Sequence, residues 1–192
     1  MEIQSLPLPS SFYQRNTVIV AQDLLGKCIV RQWNSTVLTG IITETEAYTG
    51  DDDPACHAYR GITPRTTPMF GPVGHTYMYF IYGNHYCLNL VARDDNQKAG
   101  AVLIRSITPL IGKELMQTLR GNVKDKHLTD GPGKLCQALG LSREHNNSNA
   151  TTIGSLYITE GITVHKNDII QTPRIGISKA QDRLWRFVLH NQ

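Results

Sequence analysis

Two aromatic and apolar runs, residues 77–82 and 85–90, are separated only by Gly83-Asn84. That spacing commits the chain to antiparallel β structure, because glycine and asparagine can take the positive φ angles that a two-residue hairpin turn requires. Five of the eight tyrosines fall within residues 59–86, so the hairpin is aromatic at its tip. Aromatic rings normally sit inside, with phenol hydroxyls finding partners there, and a core hairpin is the plain reading. Position argues otherwise. Tyr82 abuts the turn, where a hairpin is usually wet, and His85 and Tyr86 follow at once. An exposed aromatic tip needs something to touch.

With 192 residues, 40% of them apolar, the expectation is one globular domain over residues 1–192 with a sizeable core. No apolar run approaches the roughly 18 residues of a membrane span, and the first residues lack the charged and apolar regions of a secretory signal. A soluble protein of the cytoplasm is expected. Cys28, Cys56, Cys87 and Cys136 are too far apart for a disulfide mini-scaffold or paired zinc ligands, and read as reduced thiols. The net charge of +3 is unevenly placed: residues 1–100 carry 7 Lys and Arg against 9 acids, and residues 101–192 carry 12 against 7. A basic second half can follow a phosphate backbone, although a mixed solvated surface has the same composition.

In chain order, residues 18–25 read as a short helix with Asn16-Thr17 as cap candidates and Gly26 behind. Residues 28–33 and 37–48 read as paired strands, with Gly40 as a candidate bulge. A period of two puts Glu44, Glu46 and Tyr48 on one face of the second strand, either a solvent-facing edge or a site. Asp53-Pro54 looks like a helix start with His57 in its first turn. Asp51, Asp52, Asp53 and His57 contain metal-ligand chemistry, but the calcium-loop pattern is absent, so no metal is expected. Residues 60–75 form a Gly- and Pro-rich loop carrying Arg60 and Arg65. Residues 101–105 read as an apolar strand ending in Arg105, a charge that needs an acid. Residues 113–120 and 130–140 read as helices, the second with Lys134 beside an amino end able to hold a phosphate. Residues 152–159, 162–165, 175–178 and 185–189 read as closing strands.

Several of these stretches together resemble the alkyladenine (3-methyladenine) DNA glycosylase family in its short bacterial form. They are Thr43-Glu44-Thr45-Glu46-Ala47-Tyr48, the following His57, Met69-Phe70, Tyr79-Phe80-Ile81-Tyr82-Gly83, Asn89, Leu103-Ile104-Arg105 and the run from Gly131 to Leu139. The resemblance covers nearly the whole chain in order. It implies a mixed α/β (α+β) fold, with a curved antiparallel sheet, surrounding helices and a protruding aromatic hairpin. It also implies excision of alkylated or deaminated purines from double-stranded DNA, 3-methyladenine-type lesions and hypoxanthine among them, in base excision repair.

By that resemblance Glu46 matches the general base, and Arg105 the arginine that orients it and its water. Tyr48 and His57 match the residues that sandwich a flipped base, with Tyr79 closing the pocket and Leu103 beside it. Asn89 matches the residue that crowds the exocyclic amino group of guanine. Tyr82 matches the wedge that fills the vacated stack, while Asn84, Arg60, Arg65 and Lys134 are expected to contact DNA. Asn84 departs from the methionine of the best-known members, and the loop from His57 to Met69 is one residue shorter, which bears on grip and lesion range. A water nucleophile implies no cofactor and no lyase step, and no lysine falls in the pocket motifs. A monomer is expected. The competing readings are a non-catalytic nucleic-acid-binding module and a hydrolase of free nucleosides. The presence of both Glu46 and Arg105 argues against the first and the aromatic tip against the second.

Overall fold

Strand β2, Thr36–Tyr48, is the axis of the molecule. Its first half pairs antiparallel with β1, Cys28–Trp33, across the tight turn at Asn34, whose φ of 51° is left-handed. The other edge of β2 pairs with β5, Ala101–Ile111, and its last residues also pair with β8, Arg186–Leu189. The hairpin strands β3, Thr76–Ile81, and β4, His85–Val91, extend the sheet beyond β5, and β6, Leu156–Thr159, closes it beyond β1. The strand order is β3-β4-β5-β2-β1-β6, with β7, Ile169–Thr172, joined through β8. The structure is a computed structural model describing residues 6–81 and 85–190, with only the backbone of residue 81. Tyr82, Gly83 and Asn84, the expected hairpin tip, lie outside the described residues.

The fold is mixed α/β with a curled antiparallel sheet, as expected. Its main core gathers Leu24, Ile29, Leu38, Ile42, Leu88 and Phe187 with neighbours from the helices α2, Thr17–Asp23, α3, Lys113–Arg120, and α4, Pro132–Ala138. The short α1, Ser10–Tyr13, adds Tyr13. Helix α2 starts where expected because the Asn16 side chain accepts the Val18 amide, satisfying one of the unpaired donors of a helix start. A second, smaller core forms around Cys56, Met69, Tyr77 and Val91, with Tyr48 and Tyr79 packed against it. The period-two alternation of β3 divides its side chains between these cores: Met78 joins the first and Tyr77 the second.

Three expectations fail. Residues 162–165 and 175–178 are not strands; the Ile162 amide bonds back to Gly26, and the second stretch forms a loop at the site described below. Asp53-Pro54 starts no α-helix. Asp53 is instead buried against Arg174 and accepts the Ala55 amide at 3.2 Å, and His57 opens the 3-10 turn His57–Arg60. The edge reading of β2 also fails, since β2 is interior to the sheet. Strand β7, absent from the sequence reading, has exposed Gln171 and Ile170 and so lacks clean alternation.

Gly140 follows the cap of helix α4; its φ of 58° is left-handed and its missing Cβ would lie 1.5 Å from the Trp33 ring. Gly140→Ala therefore adds overpacking, about 1–3 kcal/mol, to a left-handed backbone cost of roughly 1–2 kcal/mol. Urea unfolding should show a loss of at least about 2 kcal/mol on those scales. A loss below about 0.5 kcal/mol, the range of harmless surface changes, would mean that neither the Trp33 contact nor the left-handed backbone penalises the added methyl.

Candidate active site

Two irregularities in the β2–β5 ladder shape the site. The register runs Ile42↔Ile107, then Glu44↔Ser106, then Thr45↔Ile104, so Thr43 on one strand and Arg105 on the other have no partner. A bulge of this kind re-aims side chains. Arg105, unpaired on β5, reaches both carboxylates of β2: its Nε donates to Glu44 Oε1 at 2.7 Å and its Nη1 lies 3.3 Å from Glu46 Oε1. The arginine thus has two acids. Glu44 Oε1 also accepts from Arg186 Nε at 2.6 Å, and Arg186 Nη1 donates to Thr172 Oγ1. Removing Arg105 would leave two carboxylates of one strand close together with one guanidinium fewer between them.

Glu46 is fully buried. Its Oε1 accepts the Ile175 amide at 2.7 Å as well as facing Arg105, and its Oε2 accepts the Tyr48 hydroxyl at 2.8 Å. Burial and the neighbouring Glu46 charge push the Tyr48 phenol well above its ordinary range, so Tyr48 stays a donor. Three donors thus hold the carboxylate in one orientation.

Tyr48, Arg105 and Ile175 are themselves part of the wall of a cavity of about 490 Å³, a volume typical of small-ligand sites. Glu46 is not in that wall but directly behind it. His57, Tyr79, Asn89 and Leu103 line the same cavity, so the structure brings together every described pocket residue singled out in the sequence. The His57 and Tyr79 rings contact each other at 4.2 Å between centroids. Both amide hydrogens of Asn89 are engaged by the carbonyls of Tyr77, at 3.0 Å, and Cys87, at 3.3 Å. What Asn89 retains is an acceptor oxygen in a fixed amide.

Arg65 does not stand apart as a loop cation. Its guanidinium covers the Tyr79 ring at 4.2 Å, and its Nη2 lies 3.4 Å from His57 Nε2. Arginine only donates. His57 Nε2 must then accept, the ring proton sits on Nδ1, and Nδ1 faces the Tyr77 hydroxyl at 3.3 Å. Burial, and then Arg65, push the imidazole down to about 4. Part of the residue faces solvent and water tempers the shift, but its sign keeps the ring neutral at pH 7.

Of the other expected DNA contacts, Arg60 is exposed, and Lys134 Nζ is held by Asp130 at 2.8 Å. The metal-ligand candidates are otherwise engaged: Asp51 by Lys98, Asp52 by Thr49, and Asp53 by Arg174.

The sequence reading missed three parts of the site. The first is the Arg174–Asp53 pair, with both side chains fully buried and two contacts at 2.5 and 2.8 Å. Arg174 also donates to the Ala47 carbonyl and stacks on Tyr48 at 4.7 Å and Trp185 at 5.2 Å. The only hint in the sequence was a run of three aspartates with no counter-charge nearby. Second is Cys87, a lining residue whose thiol burial pushes up to about 11, which keeps it neutral. Third is Lys179, which lines the cavity although it lies outside the sequence motifs read for the pocket.

Residues 11–192 match the family described as methylpurine-DNA glycosylase. A relative from Carboxydothermus hydrogenoformans is 48% identical over 184 residues, covering 96% of this chain and 95% of the relative. Relatives from Methanocella arvoryzae and Chlorobaculum tepidum are each 46% identical, covering 94% and 93% of this chain and 90% and 85% of their own. All three carry provisional names as 3-methyladenine DNA glycosylases. A family match over residues 11–192, with relatives 46–48% identical over nearly the whole chain, establishes that this protein belongs to the methylpurine-DNA glycosylase family.

Proposed function

We propose that the protein flips alkylated or deaminated purines out of duplex DNA and hydrolyses their N-glycosidic bond, with Glu46 activating water, to leave an abasic site. The observation that carries this reading is the buried carboxylate held by three cavity-wall residues, Tyr48, Arg105 and Ile175. Cleavage of the bond develops positive charge on the sugar, and a carboxylate placed directly behind the cavity wall can both take a proton from water and stabilise that charge. Arg105, anchored by Glu44, orients the carboxylate.

The wall is suited to a flat, electron-poor base. Tyr48, backed by Arg174, and the His57–Tyr79 pair present rings on which a base stacks at roughly 1–3 kcal/mol each. A neutral His57 suits a cationic 3-methylated purine better than an imidazolium would. Asn89, immobilised through its amide hydrogens, crowds the amino group of normal guanine. Rotating a nucleotide out of a duplex costs a few kcal/mol. Tyr82, at the sequence-defined hairpin turn, offsets part of this by occupying the vacated space. Water as nucleophile leaves the strand uncut.

The test is incubation with duplexes bearing 3-methyladenine, 7-methylguanine, hypoxanthine or etheno-adenine, followed by hot alkali to cut abasic sites. At least one lesion should be excised, and no strand should break before alkali. Excision from free nucleosides at comparable rates would favour the nucleoside-hydrolase reading instead. On the same substrates Tyr82→Ala should slow excision most for a lesion in a well-stacked G·C-rich duplex and least for a mispaired one. An unchanged ratio between those substrates, with a large drop in melting temperature, would retire the wedge and make Tyr82 a core residue.

A further inference from the structure

The loop that brings the Ile175 amide to Glu46 ends at the cavity rim with Lys179. The cavity wall is otherwise close to neutral. Burial pushes the Tyr48 and Tyr77 phenols and the Cys87 thiol up, and His57 is pushed down. Two lining residues carry a fixed charge, Arg105 and Lys179. Arg105 is 11% exposed and engaged by Glu44 and Glu46.

Four other nearby cations are matched to acids, Arg174 to Asp53, Arg186 to Glu44, Lys98 to Asp51 and Lys134 to Asp130, and Arg65 is engaged by the Tyr79 and His57 rings. Lys179 is exposed and, among the described residues, makes no hydrogen bond or ion pair. The turn behind it is built rather than loose. Ala180 takes a left-handed φ of 50°, a conformation uncommon for a residue with a Cβ, and the Gln181 side-chain amide Nε2 donates back to the Ile177 carbonyl at 2.9 Å.

A base that enters this cavity brings its sugar and the adjoining phosphodiester to the rim. We propose that Lys179 binds the phosphodiester next to the flipped nucleotide, as an anchor that engages only once the nucleotide has left the stack. The inference rests on the glycosylase reading and adds to it a residue that holds the extruded state. A lysine serves as a point charge for phosphate without demanding one orientation. It therefore suits any lesion, since the backbone is the same beneath each.

The test compares the full-length wild type with Lys179→Met and Lys179→Arg on two duplexes. One is undamaged; the other carries a tetrahydrofuran abasic site, which has no base to cleave and opposes rotation least. Dissociation constants are measured between about 50 and 200 mM salt. One lost phosphate contact changes the logarithmic salt slope by about 0.9. Lys179→Met should make the slope shallower by about that amount on the abasic duplex and leave the undamaged duplex unchanged. Its preference for the abasic duplex at the low-salt end should fall about threefold to tenfold, while Lys179→Arg keeps both properties.

Equal changes on both duplexes would make Lys179 an ordinary surface cation and overturn the proposal, as would no change on either or a wild type that binds both alike. Borohydride trapping of a protein–DNA adduct from a lesion duplex, lost in Lys179→Met, would assign the amine to covalent attack and overturn it as well. The affinity contrast is read without excision. A wild type that excises no lesion yet shows the contrast would sink the proposed hydrolysis and leave the phosphate anchor standing.

Discussion

Glu46→Gln should reduce single-turnover excision by at least about a hundredfold, the low end of general-base effects, while affinity for lesion-bearing duplex changes little. Glutamine fits the same space. Its oxygen can take the position of Oε1 and accept the Ile175 amide, and its amide nitrogen then faces the Tyr48 hydroxyl, which can turn to accept. Arg105 keeps Glu44 as its closer partner, at 2.7 Å against 3.3 Å for Glu46. The fold and cavity therefore survive, and what disappears is the proton acceptor. Excision within about tenfold of wild type would remove Glu46 from the general-base role. A rate lost together with a melting temperature lowered by ten degrees would trace the defect to packing.

Asp53→Ala should cost stability on the scale of a broken buried ion pair, about 3–5 kcal/mol, because Arg174 is left charged and without its acid in the interior. At roughly 2–4 °C per kcal/mol for a chain of this size, the melting temperature should fall by about 6–20 °C. Activity should fall as well, for a separable reason. Arg174 immediately precedes Ile175, whose amide binds Glu46, and it backs the ring of Tyr48, whose hydroxyl binds the same carboxylate. Replacing both members with apolar residues, Asp53→Leu with Arg174→Met, should recover much of the stability, since no unpaired charge remains. Excision should not recover, because the two contacts around Glu46 have lost their support. Thermal unfolding alongside single-turnover rates, taken where each variant is folded, separates the two effects. Full recovery of excision in the double variant would show that the pair contributes only to folding.

Most of the regular elements were legible because their signals are local. The hairpin follows from the aromatic and apolar runs around Gly83-Asn84, β1 and β2 from their strand-like runs, and α2 from its Asn16 cap. Helix α3 spans Lys113–Arg120 as its pattern predicts. The pocket residues were legible through family resemblance, since Tyr48, His57, Tyr79, Asn89 and Leu103 are scattered over 55 positions and share no local pattern. The stretch from Ile175 to Ser178 misled because alternating isoleucines imitate a strand. Here Ile175 is half exposed and its amide serves a carboxylate, where a sheet ladder would have used it.

By itself the sequence determined the antiparallel character of the fold, the order of its main elements, the shared face of Glu44, Glu46 and Tyr48, and the need of Arg105 for an acid. Each depends on periodicity, turn chemistry or charge within a few residues. Tertiary structure alone decided that Arg105 would serve both glutamates, through bulges in two strands, and that Asp53 would find Arg174 across 121 positions. It alone turned Arg65 onto Tyr79 and left Lys179 at the cavity rim. Those outcomes depend on which charges meet once water is excluded, and a buried charge takes whichever partner the packed chain brings near.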